Sequence, residues 1–290
     1  MPVIATNVAA NTALLYLNRN SSTESSTLAK LASGSNMVKA SDDAAGLAIG
    51  TELKAQSAFL TQNASNLSQG VSILQVADSG LSSISDILTR MMSLATEAAS
   101  SNVSDTQRSN DISAEFGQLA SEISTIENST TYGGQALLIS GFSAAQFVVG
   151  TNSSGSAVTV SIALGDLTGS SYSSLSTVAG YSSQSLASAS GVLGTTSGAQ
   201  ALVSTLSAAI DDITGYRATV GAYESQLNYS LNSVDSSQTN VSAAQSTVMD
   251  ADEAALKSQL SSADVLSQAS IAALSQASKM PQELLTLLQS

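Results

Sequence analysis

Apolar residues recur at every seventh position in two well-separated stretches of the chain. The first ladder runs Leu53, Leu60, Leu67, Leu74, Leu81, Leu88, and the second Leu206, Ile213, Val220, Leu227, Val234, Val241, Val248. A seven-residue apolar period keeps one seam of a helix turned toward a partner helix, which is the signature of a coiled coil. Two ladders of similar length, split by a Ser/Gly/Thr-rich middle, predict a chain that folds back and zips its ends together.

The elements between and beyond the ladders follow from periodicity and punctuation. Residues 6–32 read as a helix with Val8, Leu14, Leu15, Leu17, Leu28 and Leu31 as apolar positions, closed by Gly34 as a left-handed cap. After a connector over 35–40, Ser41-Asp42-Asp43 supplies a capping hydroxyl and carboxylates that oppose the positive end of a helix dipole. The helix they start runs to about Ser100 with no proline to interrupt it, which at about 1.5 Å per residue is on the order of 90 Å. A break at 102–105 precedes a shorter helix to about Asn128, with Ile112, Phe116, Leu119, Ile123 and Ile126 spaced by three or four, ended by Tyr132-Gly133-Gly134. Residues 136–139, 146–149 and 157–162 are short β-type runs bounded by glycine and serine, so a small hairpin region is predicted. Residues 165–198 are Ser, Gly, Thr and Ala with little pattern. Helix resumes over 199–249. The acidic knot Met249-Asp250-Ala251-Asp252-Glu253 marks a joint or a new helix start. A last amphipathic stretch carries Leu256, Leu260, Val265, Leu266, Ile271 and Leu274, and Pro281 predicts a kink before the leucine-rich tail.

The two ends raise a question of burial. Residues 1–32 and 256–288 are apolar on one face yet lie beyond both ladders, so within one copy they can pair only with each other. Apolar surface left over in that way is covered by neighbouring copies or remains unstructured. One repeated head-to-tail contact between copies generates a helical filament. The physics of the chain thus points to an elongated, self-assembling helical protein.

Composition narrows this further. Aromatics are 4% of the 290 residues, Trp is absent, and about a fifth of the chain is serine, which suits a narrow Leu/Val/Ile/Ala seam better than a large globular core. A net charge of −13 with nine Lys and Arg is repelled by phosphate backbones, so no nucleic-acid partner is expected. The absence of both His and Cys removes the usual nucleophilic triads and zinc sites. No enzyme activity, catalytic residue, cofactor or metal is expected. The beginning of the sequence has no basic start followed by an apolar run, and no eighteen consecutive apolar residues occur, so neither a cleaved secretory signal nor a membrane span is expected.

Several sharper readings give way to plainer ones. Asp42 and Asp43 are adjacent, so on a helix they do not face one another as a paired-carboxylate site does, and a helix-start role is favoured. Asp250, Asp252 and Glu253 lack the spacing and glycine of a calcium loop. The triplet Asn63-Ala64-Ser65 matches an N-glycosylation acceptor, a pattern that chance supplies in a Ser- and Asn-rich chain. Tyr216 and Tyr223, one heptad apart, read as seam packing.

Separate blocks of the sequence resemble the bacterial flagellin family, in order and with matching spacing. They are Leu31-Ala32-Ser33-Gly34-Ser35, Ser41-Asp42-Asp43-Ala44-Ala45-Gly46-Leu47-Ala48-Ile49, Thr61-Gln62-Asn63-Ala64-Ser65-Asn66-Leu67, Gly70-Val71-Ser72-Ile73-Leu74-Gln75, Leu266-Ser267-Gln268-Ala269 and Pro281-Gln282-Glu283-Leu284-Leu285-Thr286-Leu287-Leu288. The similarity covers roughly 1–140 and 200–290. It implies a mainly α fold, an elongated antiparallel coiled-coil or helix-bundle rod with a small β-hairpin region and paired N- and C-terminal helices. The implied divisions are inner-tube helices at 1–41 and 255–290, a rod with hairpin at 42–164 and 199–254, and a short, variable, outward-facing segment at 165–198 whose serines are candidates for O-linked sugars. Assembly contacts are expected at Leu14, Leu17, Leu28, Leu31, Leu266, Ile271, Leu284 and Leu288.

The resemblance further implies that copies of this chain polymerise into the motility filament after unfolded export through the flagellar type III apparatus, to an extracellular location. The implied partners are the chain itself, an export chaperone on about Ala255 to Ser290, and the hook-associated and cap proteins. Many flagellins carry a stretch read by Toll-like receptor five. Here Arg90 and Leu94 match that stretch, as does Glu115 on the next helix, but Met92 and Ser93 replace a basic and an acidic residue, so weak recognition is expected. Two rivals remain at this point. The related hook–filament junction protein tends to carry proline just after the paired aspartates, where this chain has Ala44-Ala45-Gly46. A cytoplasmic coiled-coil scaffold is the rival from a different class.

Overall fold

The structure is a computed structural model that describes residues 7–139, 145–151, 156–163, 167 and 193–289. Its elements, in chain order, are α1 (Val8–Ser33), α2 (Ala44–Ala98), α3 (Asp105–Gln107), a π-helical turn (Arg108–Ile112), α4 (Ser113–Ser129), β1 (Thr131–Tyr132), β2 (Gln135–Ala136), β3 (Ala145–Thr151), β4 (Ala157–Ile162), α5 (Thr196–Met249) and α6 (Glu253–Gln289). The fold is mainly α, with two small antiparallel strand pairs.

Local chemistry explains where the helices begin and end. Asn7 Oδ1 accepts from the Ala10 amide at 3.0 Å to start α1, and Gly34, at φ 66°, closes it in the left-handed region that glycine enters without a Cβ penalty. Asp43 Oδ1 accepts from the amides of Ala45 and Gly46, each at 3.0 Å, so Asp43 caps the long helix, whereas Asp42 turns back to the amides of Val38 and Lys39 in the connector. Asp252 does the same for α6 through Ala254 and Ala255. The break at 102–105 is real: Ser104 and Gln107 form a reciprocal capping box at the head of α3.

Three details differ from the sequence reading. Tyr132-Gly133-Gly134 is more than a helix stop: Gly133 (φ 59°) and Gly134 (φ 83°) make the two-residue turn that pairs Tyr132 with Gln135. Of the β-type run at 136–139 only Ala136 lies in a strand, while Leu137 and Leu138 are buried side chains. And α6 runs through Pro281 to Gln289 as one helix. The other two runs pair as β3 and β4, from Ala145 opposite Ile162 to Thr151 opposite Ala157, with a register shift between Val148 and Gly150. Apart from Leu167 and the residues from Leu193 onward, the segment 165–198 lies outside the described residues.

The chain divides into two compact units, one of residues 59–238 and one formed by 1–58 with 239–290. In the first, α2 and α5 run antiparallel. Asp78 takes Arg217 in a two-point ion pair (Nε–Oδ1 2.8 Å, the second N–O 3.2 Å), Gln75 donates to Glu224 at 3.3 Å, and Gln238 donates to Thr61 at 2.9 Å. Beneath these contacts lie two rows of α2, not one. Leu60, Leu67, Leu74, Leu81, Leu88 and Ala95 form the first, and Asn63, Gly70, Ala77, Ile84, Met91 and Ala98 the second, all buried. From α5, Leu206, Ile213, Val220, Leu227 and Val234 face them, with Leu202, Ala209 and Tyr216 as a second row. Phe116, Ala120 and Ile123 of α4 and Leu137, Leu138 and Ile162 of the strand region are also fully or almost fully buried. Small residues admit these neighbours. A Cβ on Gly70 would stand 3.0 Å from the Phe147 ring, and one on Gly80 would stand 3.0 Å from the Thr130 methyl.

In the other unit α1 and α6 run antiparallel. Asn7 Nδ2 donates to the Ala277 carbonyl at 2.7 Å, Asn20 Nδ2 donates to Ser270 Oγ at 3.1 Å, and the Ala251 amide donates to the Gly34 carbonyl at 3.0 Å. The buried side chains of this unit are few and small by comparison: Thr27, Met37, Leu256, Ala263 and Ala277.

Candidate functional site

The residues that stand out for function lie on α1 and α6. Two paired helices bury only the stripe each turns to the other, and here that stripe mixes Ala, Thr and Asn with Leu256, which is buried, and Leu260 and Leu274, which are half-buried. Other bulky residues sit off it. Leu14, Leu28, Leu266 and Ile271 are all exposed, as are Val8, Leu15, Tyr16 and Val265, with Leu15 at 65% and Leu266 at 54%. Leu17 and Leu31 are half-buried. The backbones of Leu284 and Leu288 are in α6, and their side chains lie outside the described residues. Between the helices a groove of about 500 Å³ opens along Ala13, Tyr16, Arg19 and Asn20 on one wall and Leu266, Ala269, Ser270 and Ala273 on the other. These exposed apolar side chains thus cluster on one helix pair, beside a groove.

The seam residues are placed differently along their length. Leu60 to Leu88 and Leu206 to Val234 are buried, whereas Leu53, Val241 and Val248 are half-buried. Tyr216 is buried with them and Tyr223 is half-buried. Asn63 is 2% exposed, with no partner for its Nδ2, which places the side chain that would accept a sugar in the core, although Ser65 is exposed.

Arg90 and Glu115, from α2 and α4, pair with each other at 2.6 Å, with both side chains about half exposed. Leu94 is 3% exposed. Two members of the receptor-like stretch are therefore engaged in an intramolecular ion pair, and the third is a core residue.

The sequence reading missed Arg108, a lone cation in a polar stretch. Its side chain is 6% exposed and every arm is used. Nε donates to the Ala98 carbonyl (2.7 Å), one terminal nitrogen to Asp105 (2.7 Å), and the other to the carbonyls of Ser100 (2.9 Å) and Val103 (2.7 Å). The last carbonyls of a helix have no intrahelical donors, and this guanidinium supplies them. The one sequence signal is its place just after the capping box.

Two titrating groups are shifted by their surroundings. Backbone amides of Lys39 and Val38 hold the Asp42 carboxyl below its usual range, and the hydrogen bond to Asp78 raises Arg217. Neither sits in a cleft with a nucleophile. Among the described residues no group of three acids is placed to hold a metal, and no helix is long and apolar enough to cross a membrane.

Comparison with known proteins bears on both ends of the chain. The bacterial flagellin N-terminal helical region matches residues 4–142, and the bacterial flagellin C-terminal helical region matches residues 203–288. A flagellin of Listeria monocytogenes serovar 1/2a is 35% identical over 281 residues, 95% of each chain. A flagellin of Bacillus subtilis strain 168 is 30% identical over 299 aligned positions, 98% of each. Among solved structures, a putative flagellar hook-associated protein from Vibrio parahaemolyticus shares the fold. Its TM-score is 0.55 at 14% identity, over 72% of this chain and all of the other.

Proposed function

The chain belongs to the bacterial flagellin family, and from that premise we propose that the exposed apolar face of α1 and α6 is the surface through which copies join. The protein is a structural subunit that polymerises into the flagellar filament. The observation that carries the assignment of the surface is the contrast between units. The apolar ladder of 59–238 is satisfied within one copy, whereas Leu14, Leu28, Leu266 and Ile271 are left in water. Apolar area of that kind gains free energy only when something covers it, and further copies of the same chain are the partner a filament supplies.

The finer reading follows the family. The subunit is secreted unfolded through the flagellar export apparatus and works outside the cell. An export chaperone covers α6, from about Ala255 to Ser290, before assembly, and hook-associated and cap proteins flank the finished polymer. Receptor recognition is weak, because the stretch around Arg90 carries Met92 and Ser93 where a basic and an acidic residue are usual. Full potency in a reporter-cell assay contradicts that last point. Against the hook–filament junction reading stands Ala44-Ala45-Gly46 after the aspartates, together with the flagellin relatives that match nearly end to end.

Deletion tests the surface. Chains lacking about 1–30 or 260–290 are expected to stay soluble and to form no filaments by electron microscopy, while 59–238 keeps its helical signal. Filaments from either deletion overturn the assignment.

A further inference from the structure

The connectors α1–α2 and α5–α6 are strapped to one another in the terminal unit. The Asn36 amide donates to the Met249 carbonyl at 2.8 Å, Ser35 Oγ reaches the same carbonyl at 3.2 Å, and the Ala251 amide donates to the Gly34 carbonyl at 3.0 Å. The α1–α2 connector and the end of α5 also each deliver a methionine to α2. Met37 lies against Gly46, where an added Cβ would meet its sulfur at 2.8 Å. Met249 lies against Gly50, one turn on, where a Cβ would stand 2.7 Å from its Cγ and closer still to Sδ. Gly50 is buried and Met37 is 7% exposed, whereas Met249, the last residue of α5, is half-buried. A thioether held in a glycine notch owes its place to being unbranched and apolar.

We propose that Met249 is a sulfoxidation site whose modification by a peroxide undoes this strap. The sulfur lone pair attacks one oxygen of hydrogen peroxide, the O–O bond breaks, the S=O bond forms, and water leaves. The thioether is oxidised by two electrons and the peroxide is reduced. The product is polar, and its oxygen adds bulk to an atom already pressed on α2, so the side chain leaves the notch. Because the Met249 carbonyl is the acceptor for Asn36 N, its displacement removes that contact and leaves Ser35 Oγ only the Met37 carbonyl, 3.1 Å away. Half-burial lets peroxide reach Met249 before Met37, and well before the fully buried Met91.

The test treats the full-length protein with hydrogen peroxide, locates sulfoxides by peptide mass, and follows exchange of the Asn36 and Ala251 amides. Met249 is expected to oxidise before Met37 and Met91, and both amides to exchange about five- to thirty-fold faster, the change that follows losing one or two kcal/mol of local stability. Met249→Leu has no sulfur to oxidise and is expected to abolish the peroxide-dependent change, read against its own untreated exchange because the branched side chain fits the notch less well. Gly50→Ala is expected to mimic it without peroxide. Three results overturn the proposal: a Met249 sulfoxide with unchanged exchange, an equal response in Met249→Leu, or Met249 left reduced after Met91 has oxidised. Exchange is read whether or not the subunits polymerise, so failure here is distinguishable from failure of the assembly surface.

Discussion

Leu74 and Leu266 are the same residue type on long helices of one chain, yet Leu74 is fully buried and Leu266 is 54% exposed. The difference lies in what each helix has to pack against. Around Leu74, α2 meets α5, through Gln75–Glu224 and Asp78–Arg217 on the C-terminal side and Leu227 at Gly70 on the other, where the Phe147 ring of β3 also presses in, so the leucine is fully enclosed. Around Leu266 there are two helices, and a pair can enclose only its facing stripe. One unit is therefore finished as a folded body within a single copy, and the other has a surface that folding alone leaves uncovered.

The largest expected effect tests this directly. Leu74→Asp or Leu227→Asp forces a carboxylate into the enclosed seam and is expected to destabilise the 59–238 unit by roughly 3–5 kcal/mol in a denaturant melt. Leu266→Asp should leave that melt unchanged within about 0.5 kcal/mol, the usual range for surface substitutions, and suppress filament formation. Equal losses of stability at Leu74 and Leu266 break the comparison between the units.

Two guanidinium groups in the same neighbourhood sharpen it. Arg108 closes the carbonyl end of α2 from a buried position, while Arg90 holds Glu115 in water. Arg108→Ala leaves the carbonyls of Ala98, Ser100 and Val103 short of a donor and is expected to cost about 2–4 kcal/mol, with Arg108→Lys recovering only part. Arg90→Ala is expected to cost about 0–1 kcal/mol, as exposed ion pairs do. A mild Arg108→Ala would mean that water can take over the helix end.

These cases also show where the sequence is legible. The first row of the seam could be read because it is leucine at every seventh position, and the helix starts because Asp43 and Asp252 sit where caps belong. Most of the second row could not: Asn63, Gly70, Ala77 and Ala98 are small or polar, and Gly70 is buried because Leu227 and the Phe147 ring come to it. Arg108 escaped notice because a charge in a polar stretch looks solvated until the chain turns back on it. Exposure on α1 and α6 was legible in outline, since those segments lie beyond the ladders, but which leucines face water depends on the rotation of one helix against the other.

Glycines extend the contrast on a smaller scale. A Cβ at Gly70 meets Leu227 at 2.9 Å and the Phe147 ring at 3.0 Å, so Gly70→Ala is expected to cost about 1–3 kcal/mol by overpacking. Gly221, on α5, has nothing within 4 Å of that position, and Gly221→Ala is expected to stabilise by about 0.5–1 kcal/mol through helix propensity alone. Opposite signs in matched thermal melts support a packed α2 row. Stabilisation at both sites means that the strand region does not press on α2.

The smallest effect belongs to the terminal unit and is electrostatic. Asp42 Oδ2 accepts from the amides of Val38 and Lys39, each at 3.1 Å, and these bonds hold its carboxyl below the ordinary value while the connector is folded. A depressed folded pKa contributes stability that is present above the unfolded carboxyl pKa and is lost as pH falls through the folded one. The Val38 and Lys39 amides are therefore expected to lose exchange protection only below about pH 4, where an unperturbed aspartate already protonates. In Asp42→Asn they should exchange faster at neutral pH and show no further acid step. The backbone amides of α5 around Val220, bonded along the helix rather than to a carboxylate, should show no matching step. An acid step at both places would mean that the pH response belongs to the helices in general rather than to this connector.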